Sequence, residues 1–221
     1  MRSRFDVIVE DVPVGAHLFR VASVHQPERL LETISAAEFL RDERLPYWAE
    51  LWTSAIVLAE RILGDTALQG KSVLELGCGL GLAGIAAARA GADVTMTDYD
   101  HDALLFARWN VAVNLDASSA GRAQVLPMDW RAPAAAAYDI ILGADIVYER
   151  RHFAPLWRFF STALKPGGYV LLGEPNRRMG DDFLAEAGEQ GFCLSVDLIQ
   201  AHRRGRDCTV RVATLRPESL S

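Results

Sequence analysis

The run Ser72-Val73-Leu74-Glu75-Leu76-Gly77-Cys78-Gly79-Leu80-Gly81, continued by Leu82 to Ala90 and closed by Gly91, decides the fold. Ser72 to Leu76 reads as a short buried strand, the glycines break it, and an Ala-rich helix follows. Strand, turn and helix form half of a βαβ unit, so the flanking sequence is searched for the same alternation. Downstream, Asp93 to Thr97 is a second strand ending at Asp98, and His101 to Asn114 is a helix with Leu104, Leu105, Val111 and Ala112 on its apolar face. Ala123 to Pro127 is a third strand leading into Met128-Asp129-Trp130, and Tyr138 to Ala144 is a fourth ending at Asp145. Phe153, Leu156, Trp157, Phe160 and Leu164 recur at helical spacing, with Pro155 tolerated in the first turn. Lys165-Pro166-Gly167-Gly168 then turns into a fifth strand, Tyr169 to Gly173, ending at Glu174. A helix over about 181–190 precedes strands Cys193 to Ile199 and Cys208 to Leu215, joined by the polar His202-Arg203-Arg204-Gly205-Arg206. Upstream, Phe5 to Val9 and His17 to Val24 read as strands separated by Pro13-Val14-Gly15, and Ala36 to Arg44 and Ser54 to Leu63 as helices. This alternation predicts an α/β, doubly wound, mostly parallel sheet with an antiparallel C-terminal hairpin at its edge.

The chain is 221 residues long, half of them hydrophobic, which is enough to build one core without disulfides or a structural metal. We expect a single domain over 1–221: an extension at 1–46, a helical segment at 47–69 that covers a ligand, a binding core at 70–175, and a C-terminal helix and strand pair at 176–221. Cys78, Cys193 and Cys208 are dispersed and form no C-x-x-C pair, which suits a reducing compartment. The N-terminal segment carries no apolar h-region and no stretch has membrane-spanning length, so a cytoplasmic, membrane-free monomer is expected. A net charge of −6 argues against wrapping nucleic acid. None of the five histidines has metal-ligand spacing, and we assign no metal.

In a sheet of this type ligands bind beyond the carboxyl ends of the strands, which here carry Glu75, Gly77, Gly79, Asp98, Asp129, Trp130, Asp145 and Glu174. A Gly-x-Gly pair by itself is satisfied by a tight turn. Gly79-x-Gly81-x-x-Gly84 also meets the dinucleotide fingerprint, with Asp98 standing 21 residues after Gly77. Two features oppose a nicotinamide cofactor. Glu75 precedes the turn, where a pyrophosphate would meet a negative charge, and Gly84 falls inside the helix as a packing residue. A cofactor with an amino acid head and a sulfonium suits those acids, so S-adenosylmethionine is the expected ligand. Asp98 would take its ribose hydroxyls, Asp129 its adenine amino group, and Trp130 the face of its adenine ring.

Val73-Leu74-Glu75-Leu76-Gly77-Cys78-Gly79-Leu80-Gly81 resembles motif I of the class I, seven-strand, Rossmann-like S-adenosylmethionine-dependent methyltransferases. Trp52-Thr53-Ser54-Ala55-Ile56-Val57-Leu58, Asp129-Trp130 and Gly143-Ala144-Asp145-Ile146-Val147-Tyr148 resemble the protein-lysine branch of that class, which acts on the electron-transfer flavoprotein β subunit, chaperones and elongation factors. The likeness runs over about 45–177. It implies cofactor contacts at Trp52, Gly77, Cys78, Gly79, Asp98, Trp130 and the backbone of Ala144, and it places the branch's Asp-x-x-Tyr signature on Asp145 and Tyr148.

Asp145 and Tyr148 are therefore the candidate catalytic pair: the acid to orient an incoming amine, the phenol to add a hydroxyl or a ring face toward a cation. The plainer alternatives are a helix N-cap for Asp145 and a core aromatic for Tyr148. Glu174-Pro175-Asn176-Arg177 either lines the acceptor mouth or is simply a strand-ending turn. Trp48 joins Trp52 in an aromatic wall or is buried, and Arg203 to Arg206 read as a solvated hairpin tip. The expected function is transfer of a methyl group to a lysine of a protein partner. A small-molecule methyltransferase and a catalytically silent binding module are the alternatives. Methylation of DNA bases is disfavoured, because the Asn/Asp-Pro-Pro-aromatic signature is absent after the fourth strand.

Overall fold

The computed structural model describes residues 1, 3–33 and 45–218. The helix expected over 36–44 lies outside them. The described residues form two sheets. In the first, β1 (Val7–Val14) pairs antiparallel with β2 (His17–Val24). β1 runs through Pro13 up to the turn at Gly15, further than the sequence pattern implies; a two-stranded ribbon leaves a free edge on which proline is tolerated.

The second sheet has seven strands: β3 (Ser72–Leu76), β4 (Asp93–Asp98), β5 (Ala123–Pro127), β6 (Tyr138–Ala144), β7 (Leu164–Glu174), β8 (Phe192–Arg203) and β9 (Arg206–Pro217), in the order β5-β4-β3-β6-β7-β9-β8. Strands β5 to β7 of that order pair in parallel, and β9 enters antiparallel between β7 and β8. Connections leave β3 and β6 in opposite directions along the sheet, which opens a crevice above their carboxyl ends.

Helices cover both faces. On one side lie α1 (Thr53–Leu63), α2 (Leu82–Arg89) and α3 (His101–Asn114), with Leu58, Ile62, Ile85 and Phe106 in their core. On the other, α4 (Phe153–Ala163) and α5 (Arg178–Ala185) pack Trp157 flat against Phe183, ring centroids 4.2 Å apart, over Leu74 and Ile141. No helix among the described residues is long and apolar enough to cross a membrane.

Three further boundaries differ from the sequence pattern. β7 extends back to Leu164, which pairs with Tyr138, and Lys165-Pro166-Gly167-Gly168 forms the irregularity between that pair and the next, Ile140 with Tyr169. The helix expected over 181–190 starts earlier and ends at Ala185, giving way to turns that close with Gly191 at φ +77°. Strands β8 and β9 run to a two-residue turn at Arg204 and Gly205, both with positive φ, so most of the expected polar connection belongs to the ladder.

The N-terminal ribbon is stitched to α3 by two asparagines one turn apart. Asn110 Oδ1 accepts from Ala22 N and its Nδ2 donates to Ala22 O and Leu80 O. Asn114 Oδ1 accepts from Arg20 N, and its Nδ2 donates to Arg20 O. The two amides thus treat the open edge of β2 as a neighbouring strand would.

Candidate active site

A cavity with an empty volume of about 1070 Å³, mouth included, opens above the carboxyl ends of β3, β4 and β6. Its floor is the glycine turn. Gly77 and Gly79 have φ of +57° and +51°, and Cys78 N donates to Thr97 O, tying the turn to β4. A Cβ on Gly77 would stand 3.0 Å from Ile146 and 3.1 Å from Trp130, so a side chain there crowds both neighbours in addition to straining the backbone.

Asp98 closes one end. It is nearly buried, and its Oδ2 accepts from Gly79 N while Oδ1 accepts from Asp100 N. Burial lifts its pKa to about 6 against the pull of these N–H donors. Trp130 stands beside it in the wall, buried, its ring edge-on to His152. Cys78 also lines the wall, and burial with the nearby acids pushes its thiol up, leaving it protonated.

The segment before α1 forms the roof. A single 3-10 turn, Tyr47–Ala49, carries Tyr47 and Trp48 into the wall, and Trp52 follows at the N-terminus of α1. Trp52 Nε1 donates to Tyr47 O at 2.8 Å. Trp48 serves both of the roles considered for it: it faces the cavity and packs on Phe106 and Phe5.

At the other end, Ala144 closes β6 and Asp145 follows with φ +59°, an uncommon conformation for a residue with a side chain. Asp145 N donates to Gly173 O, and its Oδ2 accepts from Ser54 Oγ at 3.2 Å. Its carboxylate caps no helix, since α4 begins only at Phe153. Burial raises its pKa, with Arg177 and the Ser54 hydroxyl opposing. Tyr148 is half-buried rather than core, with its ring between Tyr47 at 5.4 Å and His152 at 5.1 Å. Burial pushes its phenol up, so it stays un-ionised.

Two of the expected site residues sit elsewhere. Glu75 is buried beneath α2, where its Oε2 accepts from Gly84 N, and it does not line the cavity. Burial raises it to about 8, so at neutral pH it is largely protonated and confronts no ligand with a charge. The acidity of the cavity comes instead from Glu50, Asp98, Asp100 and Asp145. Gly84 gains a packing reason: a Cβ there would lie 2.4 Å from Glu75 Oε2. Asp129 lines a smaller adjoining hollow and is gripped by Arg131, whose Nε and Nη2 lie 2.6–2.9 Å from its oxygens.

Several wall residues escaped the sequence reading. Tyr47, Glu50, Tyr99 and Asp100 line the cavity, and Ser54 holds Asp145. Asp100 had a legible signal, standing just before a helix where it accepts from Asp102 N as a cap. Tyr47 and Glu50 had none, because an irregular segment has no period to show which side chains face inward.

Residues 42–190 match the family described as lysine methyltransferase. The chain is 39% identical over 140 residues to protein N-lysine methyltransferase METTL21A of Xenopus tropicalis, covering 62% of this chain and 65% of that protein. It is 41% identical over 150 residues to the Danio rerio protein of the same name, covering 65% and 68%. The chain therefore spans about two-thirds of the length of these relatives. Among solved structures, magnesium protoporphyrin IX methyltransferase from Synechocystis PCC 6803, determined with bound SAM, superposes with a TM-score of 0.60 at 17% identity, over 88% of this chain and 98% of that one. At that identity the likeness is one of fold alone. The glycine turn, Asp98, Asp145 and Tyr148 all fall inside the matched span, and the chain belongs to the lysine methyltransferase family.

Proposed function

We propose that this chain transfers a methyl group from S-adenosylmethionine to a lysine side chain of a protein partner. The observation that carries the reading is one cavity whose wall brings together the glycine turn, Asp98, Trp130, Asp145 and Tyr148. The wall fits the cofactor. Trp130 offers an indole face for adenine, Asp98 a carboxylate for a ribose diol, and the Gly77–Gly79 backbone a floor free of side chains. The surrounding carboxylates favour a ligand that carries positive charge. When bound, S-adenosylmethionine supplies an electrophilic methyl group.

The chain's own residues supply position and charge. A lysine amine is nucleophilic only when neutral, and from a pKa of about 10.4 removing its proton costs roughly 4.6 kcal/mol at pH 7. Asp145 meets the arriving ammonium and orients its nitrogen, while Tyr47, Trp52 and Tyr148 wall the alkyl stem and keep water out. The acid must be ionised for this, and its raised pKa moves the acid limb of activity above the ordinary carboxylate range. Activity therefore rises with pH, both as Asp145 ionises and as the amine is neutralised.

The test is transfer of labelled methyl to a cell lysate at saturating cofactor, with Asp145→Asn beside the native chain. We expect transfer to fall at least a hundredfold while cofactor affinity stays within threefold, since the neutral amide cannot hold an ammonium. Undiminished transfer would remove Asp145 from the site.

A further inference from the structure

The cavity wall is acidic except at one point. Glu50, Asp98, Asp100 and Asp145 face it, and Arg177 is its one cation among the described residues. Arg177 is exposed at the mouth, close enough for its charge to act on Asp145. Among the described residues its guanidinium makes no ion pair, unlike those of Arg131 and Arg211.

The loop that carries it is firmly built. Arg211, almost fully buried on β9, pairs through Nε with Glu174 at 2.8 Å and through Nη2 with Asp181, and it also donates to Asn176 Oδ1. Glu174 Oε2 in turn accepts from Arg177 N at 3.3 Å, and it packs so tightly on Gly180 that a Cβ there would lie 2.3 Å from it. Asn176 is held at φ +54°. A buried guanidinium thus fixes the backbone from Glu174 to Asp181 and sends one side chain, Arg177, to the rim beside Asp145.

We propose that Arg177 is a specificity residue that binds the carboxylate of an Asp or Glu within about three positions of the acceptor lysine, the distance an extended segment covers at roughly 3.3–3.6 Å per residue. This rests on the methyltransferase reading above and names the class of lysine it takes. The wall then offers the two charges in the right order: Asp145 for the ammonium, Arg177 for its acidic neighbour. A lone cation at the mouth repels a bare lysine, and an accompanying carboxylate cancels that repulsion. A lysine flanked by basic residues is rejected by the same group. A phosphate polyanion does not fit, because the carboxylates of Asp98, Asp100 and Asp145 in the wall oppose it.

The experiment uses labelled S-adenosylmethionine, a cell lysate as the acceptor pool, and the full chain as native protein, Arg177→Gln and Arg177→Glu, with the modified lysines mapped by mass spectrometry. The native chain is expected to label lysines with an Asp or Glu within three positions, and Arg177→Glu to label the same sites at least tenfold more slowly. Replacing the mapped acid by lysine in the purified substrate should then restore transfer by Arg177→Glu. Calorimetry should show unchanged cofactor affinity in both variants. Sites without acidic neighbours, or equal labelling by Arg177→Glu, would overturn the proposal. So would sites whose nearest carboxylate is a chain terminus, or a loss of cofactor affinity in Arg177→Gln, which would move the guanidinium to the cofactor. No transfer by the native chain to any lysine is a different result, and it would sink the methyltransferase reading itself.

Discussion

Asp98 and Glu75 are both buried acids on adjacent strands, β4 and β3, and their environments separate them. Asp98 is raised to about 6, so it is mostly ionised at neutral pH and faces the cavity with lone pairs to spare. Asp98→Ala should weaken S-adenosylmethionine binding by about 1.5–3 kcal/mol, the worth of a charged acceptor, and native affinity should itself fall as pH drops through about 6. Calorimetric titration at several pH values checks both. Glu75 is raised to about 8, above its unfolded value of 4.5, so the folded chain binds the extra proton. Its contribution to stability is therefore greatest below about pH 4.5 and is lost as pH rises through about 8. Glu75→Gln keeps the bond from Gly84 and removes the titration, so its unfolding free energy should fall less steeply than the native chain's between those limits, by an amount of order a few kcal/mol. Denaturant unfolding across that range measures it. Strand-end position was legible in the sequence for both acids, but the direction each side chain takes was not. Alternation puts successive residues on opposite faces, and which face holds the ligand depends on the helices that cover it.

At the scale of elements, the units that declare themselves are those whose periodicity changes abruptly at a glycine. β3, its turn and α2 are of this kind, with Gly77, Gly79 and Gly81 between strand and helix, and so is the passage from α2 through Gly91 into β4. What stayed hidden rests on side chains of no periodic meaning. Nothing in the spacing of Asn110 and Asn114 announces that they take up the edge of β2, because two asparagines one turn apart are equally at home facing water. Their removal is informative for that reason. Asn110→Ala leaves Ala22 N, Ala22 O and Leu80 O without their partner in a dry contact, and at about 1–3 kcal/mol for an unsatisfied group it should cost at least 2 kcal/mol of stability. Because Leu80 belongs to the cavity wall, cofactor affinity should fall as well. Chemical denaturation and calorimetry on the same sample distinguish the two effects. The C-terminal hairpin was legible as a strand pair but not in length, since the polar residues near its tip still satisfy the ladder.

For the molecule as a whole, the tip of that hairpin corrects the picture of a freely solvated turn. Arg204 reaches Glu50 at 3.0 Å beside the cavity roof and Glu10 at 3.6 Å on the N-terminal ribbon, joining three distant parts of the chain. All three side chains are substantially exposed, so the pairs are screened and should contribute little to the folding free energy. Arg204→Ala should accordingly change the unfolding free energy by less than about 1 kcal/mol, yet make cofactor dissociation less sensitive to salt, since the roof is then no longer held by screened charges. Stopped-flow dissociation at low and high ionic strength reads this directly. The same roof has an optical consequence. Of the five tryptophans in the chain, Trp48, Trp52 and Trp130 stand in the cavity wall, whereas Trp157 is sealed in the opposite core against Phe183. A ligand that displaces water from these three indoles and stacks on one of them alters most of the protein's emission at once. The unlabelled chain is thus its own fluorescent reporter, and occupancy of the site can be followed in real time by exciting its indoles.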